Sequence, residues 1–258
     1  MATEVTKMVL TAKEAIFLSA VLGENTLVGV EDPFLGWLAE QVEEEWQHSR
    51  DEMVDKGFLT NSNMKMQVRD DIKTALHICC EPDLQILMEQ SNMAGHIVCH
   101  IVSATRSGAS LAVMHTIDAE VSITQIKCET SSELVEEIMA ELVLCDCMIS
   151  DAGSVLIQEE LLVKALGMPE SEKKLFLNHV TKTHMNDDFV QAICCPHRKL
   201  LVSSSHIQKN RIILDSFGLF IGSKCIVRMH ASEDRSDRIV VDSVTPELLQ
   251  IQFLEYLS

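Results

Sequence analysis

Cysteine and histidine are the side chains of this sequence best equipped for chemistry, nine of the first and ten of the second. Cys194-Cys195-Pro196-His197 sets three ligand-type side chains close together, and Cys145-x-Cys147 adds a pair elsewhere. A structural zinc site usually draws on two such pairs, each with roughly two to four residues between its members. Adjacent cysteines and a one-residue gap fit that pattern poorly. Cys79-Cys80 falls at a helix end and reads as packing, since a free thiol behaves as a small hydrophobe. A thiol nucleophile at Cys194 or Cys195 would need a base adjacent in space, and such partners are not adjacent in sequence. The G-x-S-x-G elbow, the phosphate-binding glycine loop and H-E-x-x-H are all missing. Ten glycines in the chain leave little for a backbone cradle around a nucleotide. Glu43-Glu44-Glu45 falls on a helix face expected to be solvated. The expectation is a protein that is not an enzyme, with no catalytic residue, no metal ligand and no cofactor.

Charge narrows the partners. The formal net charge is -18, from 21 basic and 39 acidic residues. Affinity for nucleic acid comes largely from Lys and Arg neutralising phosphates, so a chain this acidic repels polyanions and anionic membranes alike. No apolar run approaches the ~20 residues needed to cross a bilayer. Met1-Ala2-Thr3-Glu4 carries an early acid and no basic leader region, which argues against a secretory signal. With that, an odd number of cysteines reads as reduced thiols in the cytoplasm. Neither nucleic acid nor membrane is expected as a partner.

The elements that would position these residues begin with a helix opened by Thr11-x-x-Glu14, the capping-box spacing, and closed by Gly23. A second helix is expected from Pro33 to Lys56, with Phe34, Trp37, Leu38, Val42, Trp46 and Met53 at three- and four-residue steps. Gly57 stops it. A short hairpin around Asn61 to Asn63 and a helix from Asp70 to Cys79 follow. This order resembles a winged-helix unit, but the long helix carries Glu40, Glu43, Glu44, Glu45, Asp51, Glu52 and Asp55, where base and phosphate readout needs Arg, Lys, Asn or Gln. Strands are then expected at 84–88, 96–104, 110–117 and 121–128, an antiparallel meander. Thr130-Ser131-Ser132-Glu133 caps a helix to about Leu144.

The same order returns afterwards. Helices are expected at 155–166 and 170–183, strands at 189–194, 199–204, 211–215, 219–229 and 237–244, and a last helix at 246–257. Phe17-Leu18-Ser19-Ala20-Val21-Leu22-Gly23 matches Leu161-Leu162-Val163-Lys164-Ala165-Leu166-Gly167, and Ser132-Glu133-Leu134-Val135 matches Pro246-Glu247-Leu248-Leu249. The fold class is therefore α+β, a pseudo-two-fold duplicated architecture of antiparallel meanders flanked by helices, its N-terminal segment winged-helix-like. The meanders are expected to join or pack as one sheet. The domains are 1–148 and 149–258. Ser216 to Gly222 places Phe217, Leu219 and Phe220 around a glycine turn, a contact patch if the tip is exposed and core if it is not.

Leu10-Thr11-x-x-Glu14, the Leu22-Gly23 helix end and Lys56-Gly57-Phe58-Leu59 before a hairpin resemble the start of EspG-type secretion-associated proteins. Those are cytosolic chaperones of type VII secretion that hold the helical hairpin tip of a secreted substrate. The resemblance implies a non-enzymatic adaptor with a helical protein partner. It places contacts on a meander loop, here Arg106, Ser107 and Gly108, and on the second-half helix from Glu170. The alternative is a winged-helix regulator with a ligand-sensing C-terminal region.

Overall fold

The computed structural model describes residues 4–24, 27–62, 65–91, 97–117, 119–142, 154–181, 186–208, 211–232 and 237–258. The fold is α+β, with eight helices among the described residues. The chain divides into two compact units, Met1–Leu134 and Val135–Ser258. The 148/149 boundary expected from the sequence falls among residues 143–153, outside the described ones.

Unit 1 opens with a strand that the sequence pattern did not suggest, β1 (Glu4–Thr11). It alternates as a strand should, with Met8 and Leu10 buried and Val5 and Val9 exposed. Helix α1 (Ala12–Leu22) follows at once. The expected capping box is present: Glu14 N–H donates to Thr11 Oγ1 at 3.2 Å and Thr11 N–H to Glu14 Oε2 at 2.8 Å. Gly23 closes α1 at φ +73°, the left-handed value that favours glycine. Helix α2 (Ala39–Asp55) starts later than the pattern predicted, because residues 33–36 form a turn and Leu38 is extended just before the helix. The hairpin β2 (Leu59–Ser62) and β3 (Lys65–Val68) and helix α3 (Asp70–Cys80) come next. Strands β4 (Leu84–Ser91), β5 (Ile97–Thr105), β6 (Ser110–Ile117) and β7 (Glu120–Lys127) form the expected meander. The antiparallel order is β1-β7-β6-β5-β4, so β1 crosses back to pair Glu4 with Lys127 and Thr11 with Glu120. One face of this ladder is buried under α1 and α3, where Leu18, Met53, Ile72, Leu76, Ile101 and Ile123 form a core. Helix α4 (Ser131–Leu142) straddles the unit boundary and buries Leu134, Val135, Ile138 and Leu142.

Unit 2 opens with β8 (Ser154–Gln158) and α5 (Glu159–Leu166), where a single helix from Val155 was expected. Residues 154–158 pair with the strand β12 (Arg238–Val244) instead. Helix α6 (Glu170–Thr181) agrees with the pattern. Residues 189–194, expected as a strand, belong to helix α7 (Asp187–Cys194). Asn186 Oδ1 accepts the Asp188 N–H at 2.8 Å, and the buried set Phe189, Val190, Ala192, Ile193 has helical spacing, not alternation. Strands β9 (Arg198–Gln208), β10 (Arg211–Ile221) and β11 (Ile226–Ala231) follow, then β12 and α8 (Pro246–Tyr256). The order β8-β12-β11-β10-β9 is that of unit 1, strand for strand. Ile157, Leu177, Phe189, Ile193, Val227 and Val241 form the core beneath the first three helices. Helix α8 is tied to its unit by a polar chain. Arg228 makes two bonds to Asp242, at 3.2 and 2.6 Å, and one of 3.0 Å to Gln252, whose amide donates to the Tyr256 hydroxyl at 2.7 Å. Tyr256 in turn donates to Asp215.

Candidate partner-binding surface

Arg106, Ser107 and Gly108 form the turn between β5 and β6. Gly108 takes φ +83° and Ala109 φ +43°, so the reversal needs a residue without a Cβ at its tightest point. The turn is latched to Asp83, which precedes β4. The Asp83 carboxylate accepts the Arg106 N–H at 2.7 Å, its guanidinium at 2.7 Å and the Thr105 hydroxyl at 3.2 Å. Burial raises the Asp83 carboxyl, but the bonds from Arg106 outweigh it and hold the group below the ordinary carboxylate range. The charge of Arg106 is thus committed to Asp83, next to β4. Ser107 and Gly108 are the exposed tip.

Phe217, Leu219 and Phe220 do not lie at a turn. Strand β10 runs straight through them, and the reversal comes later, where the Gly222 N–H donates to Cys225 O at 2.9 Å. Phe217 and Leu219 are 3% and 0% exposed and belong to the interior of unit 2. Phe220, on the opposite face, is half-buried with Lys199 Nζ 5.8 Å above its ring. An apolar run through a glycine thus joined the core, the outcome expected if the tip is not exposed.

The helix from Glu170 presents Leu175, 74% exposed. Between α6 and α7 lies a cleft of about 510 Å³ lined by Ser171, Lys174, Val190, Gln191 and Cys194. Lys174 pairs with Asp187 at 2.7 Å. Cys194 and Cys195 end α7 half-buried, and His197 is exposed in the turn before β9. Cys145 and Cys147 lie outside the described residues. In unit 1, burial pushes the Cys79 thiol up to about 12 and the Cys80 thiol up to about 11, so both stay protonated and unreactive at neutral pH.

Two features had no part in the sequence reading. Glu24, His77 and Glu81 bring ligand atoms within 4.8 Å of one another, close enough to share a cation. The His77-x-x-x-Glu81 spacing at the end of α3 carried that signal. The 3.0 Å contact between His77 Nδ1 and Glu24 already accounts for the approach. The second is residues 27–38, which hold Leu35 at 85% and Leu38 at 66% exposure. The pattern placed Phe34, Trp37 and Leu38 on a buried helix stripe and so concealed the exposure of Leu38.

No family model and no curated protein matches this chain. Among solved structures, the Mycobacterium tuberculosis type VII secretion system chaperone EspG5, in complex with a PE25-PPE41 dimer, is similar at TM-score 0.57 and 11% identity, over 98% of this chain and 95% of that one. HtdX (Rv0241c) of Mycobacterium tuberculosis matches at 9% identity over 94% of this chain and 98% of that one, but its TM-score of 0.18 carries no argument. At 11% identity the first likeness is one of fold, and it spans the helices and strands of both units.

Proposed function

We propose that this protein is a non-enzymatic chaperone or adaptor of the cytoplasm that holds a helical protein partner, of the kind exported by type VII secretion. One observation carries the reading: the fold likeness to EspG5, a secretion chaperone solved with a PE25-PPE41 dimer, runs over nearly the whole of both chains. The protonated thiols of Cys79 and Cys80 favour a binding role over thiol chemistry in unit 1. The matching strand orders of the two units favour an origin by duplication of one unit. The winged-helix regulator is the weaker reading, because Glu40, Glu43, Glu44, Asp51, Glu52 and Asp55 are all exposed on α2 and would repel phosphates.

The test is co-purification of the tagged full chain from its source organism. A stoichiometric, mainly helical partner by circular dichroism is the expected result. Repeated elution of the protein alone, or a salt-sensitive shift of duplex DNA at physiological ionic strength, would overturn the reading.

A further inference from the structure

We infer that residues 27–38 and the first turns of α2 form a docking face for a cationic amphipathic helix. This rests on the adaptor reading and assigns it a surface and a partner chemistry. Three observations converge on it.

The segment is built, not slack. Leu27 and Val30 are buried, and a Cβ on Gly29 would collide with Ile101 Cδ1 of β5, so the backbone lies tight against the sheet. Phe34 packs on Phe17 of α1 at 4.8 Å between ring centres and on Trp37 at 5.6 Å, while Phe17 meets Trp46 of α2 at 5.2 Å. These are all the contacts between Phe and Trp rings among the described residues. Asp32 Oδ1 accepts the Phe34 N–H at 2.8 Å, and Gly36 turns the chain at φ +87°.

The segment then presents apolar side chains to water. Leu35 is 85% exposed, Leu38 66% and Trp37 41%. Three large apolar residues within four positions, on an anchored scaffold, are what an interface core needs: fixed geometry and little side-chain ordering to lose on binding. A helix supplies the complementary stripe at three- and four-residue steps.

The surroundings are predominantly acidic: Lys13 Nζ lies 5.4 Å over the Trp37 ring, but it is paired with Glu45 at 2.7 Å. No Lys or Arg occurs between Lys13 and Arg50. Glu31 and Asp32 precede the apolar residues, Glu40, Glu43 and Glu44 follow them, and all five acids are exposed. An acidic rim around an apolar centre selects Lys or Arg on the partner and speeds its encounter. The same rim disfavours a second copy of this chain, since a self-complementary contact sets acid against acid. An anionic membrane is repelled for the same reason.

The test measures binding of three fluorescent synthetic peptides to the full-length protein. They are an amphipathic Leu/Lys helix, its Leu/Glu counterpart, and a Lys/Ser peptide with no apolar face. Three variants are compared with wild type: Leu35→Ser/Leu38→Ser, Glu40→Lys/Glu43→Lys/Glu44→Lys, and the control Leu248→Ser on α8, 53% exposed and outside both candidate surfaces. The Leu/Lys helix should bind wild type and control alike, and at least tenfold more tightly than either other peptide. It should lose at least tenfold in each of the other two variants. The loss from charge reversal should fade near 1 M salt, where the Debye length falls to about 3 Å. The apolar variant keeps the net charge, so a loss there reads the face and not general acidity. A loss below tenfold in Leu35→Ser/Leu38→Ser overturns the assignment. So does equal binding of the Lys/Ser peptide, or a self-association of wild type that this variant abolishes. Repeating the co-purification with the same variant separates the two readings. A native partner retained by the variant refutes the face and leaves the adaptor standing. Peptide docking without any native partner does the reverse.

Discussion

In unit 1, residues 23–38 separate the first helix from the second; in unit 2, residues 167–169 do the same. The leading strand, the first helix and the order of the ladder correspond around these two connections, while the β2–β3 hairpin of unit 1 has no counterpart among the described residues of unit 2. Even the Leu-Gly dipeptide at the helix end is shared, yet Gly23 is left-handed at φ +73° and Gly167 continues at φ -79°. The left-handed glycine ends α1 and releases the chain into a long connection. The right-handed one passes it to Pro169 and straight into α6. The difference teaches that one plan can serve as plain scaffold in one unit and carry a specialised surface in the other. Unit 1 holds its added segment with aromatic rings; unit 2 spends its apolar residues on the helices and the sheet.

That contrast is sharpest in what truncation of an aromatic ring should cost. Phe189 in α7 is fully buried. Phe189→Ala should lower stability by about 3–5 kcal/mol, the range for deleting a buried ring. Phe34→Ala should cost only about 1–2 kcal/mol, since Phe34 is half-buried and loses mainly ring contacts. Urea unfolding midpoints at constant slope measure both. Equal costs would mean that the 27–38 segment is as much core as α7 is, and would break the comparison.

Glycine substitutions come next. Gly222→Ala would set a Cβ 2.8 Å from Ala192 Cβ and 3.1 Å from its Cα, against the backbone of α7, which cannot step aside. Overpacking of this kind costs about 1–3 kcal/mol. Gly29→Ala meets the movable end of Ile101, but must take φ +77°. The left-handed penalty of about 1–2 kcal/mol should dominate there. Replacing Ile101 by Val should therefore relieve little of the Gly29→Ala loss.

The same sites explain how far the sequence could be read. The meander β4 to β7, the α1 capping box and α6 were legible because each is set by near neighbours: turn residues, alternation, one cap. Strands β1 and β8 were not, because what makes them strands is a partner far along the chain, Lys127 for Glu4 and Arg238 for Gln158. Helix α7 was misread because Phe189 to Cys194 is short, apolar and β-branched in part, and the deciding signal was the Asn186 cap just before it. At the candidate surface, the turn at Arg106 was legible, but not that Asp83 holds its charge. Leu35 and Leu38 were hidden because apolar residues near a helix start are normally read as its buried stripe.

Two polar latches extend the comparison to pH. Asp83 holds the β5–β6 turn of unit 1 with a lowered pKa. It therefore stabilises the fold above its unfolded value of about 3.9, and the contribution is lost as pH falls through the lower folded value. Tyr256 holds α8 of unit 2 with a raised pKa, from burial first and the Asp215 carboxylate second. Its contribution is present below the unfolded value of about 10 and lost as pH rises through the folded one. Asp83→Asn should cost about 1 kcal/mol at neutral pH and flatten the acid limb of the stability profile below about pH 4. Tyr256→Phe should cost about 1–2 kcal/mol and flatten the alkaline limb above about pH 10. Denaturant midpoints across pH read both. If either variant flattened the opposite limb, the assignment of that latch would fall.

The smallest expected effect on stability is also the most informative. Leu35 and Leu38 are 85% and 66% exposed, so Leu35→Ser/Leu38→Ser removes little buried surface and should change stability by less than about 0.5 kcal/mol per site. Leu248→Ser on α8, 53% exposed, should be equally silent. The pair then separates exposure that merely occurs from exposure that is used. If residues 27–38 exist to present a face, the two variants will be indistinguishable by thermal unfolding, and only the first will change what the protein holds. If instead the double variant lowers Tm by several degrees, those leucines support the segment itself. Its length in unit 1 would then be structural rather than functional.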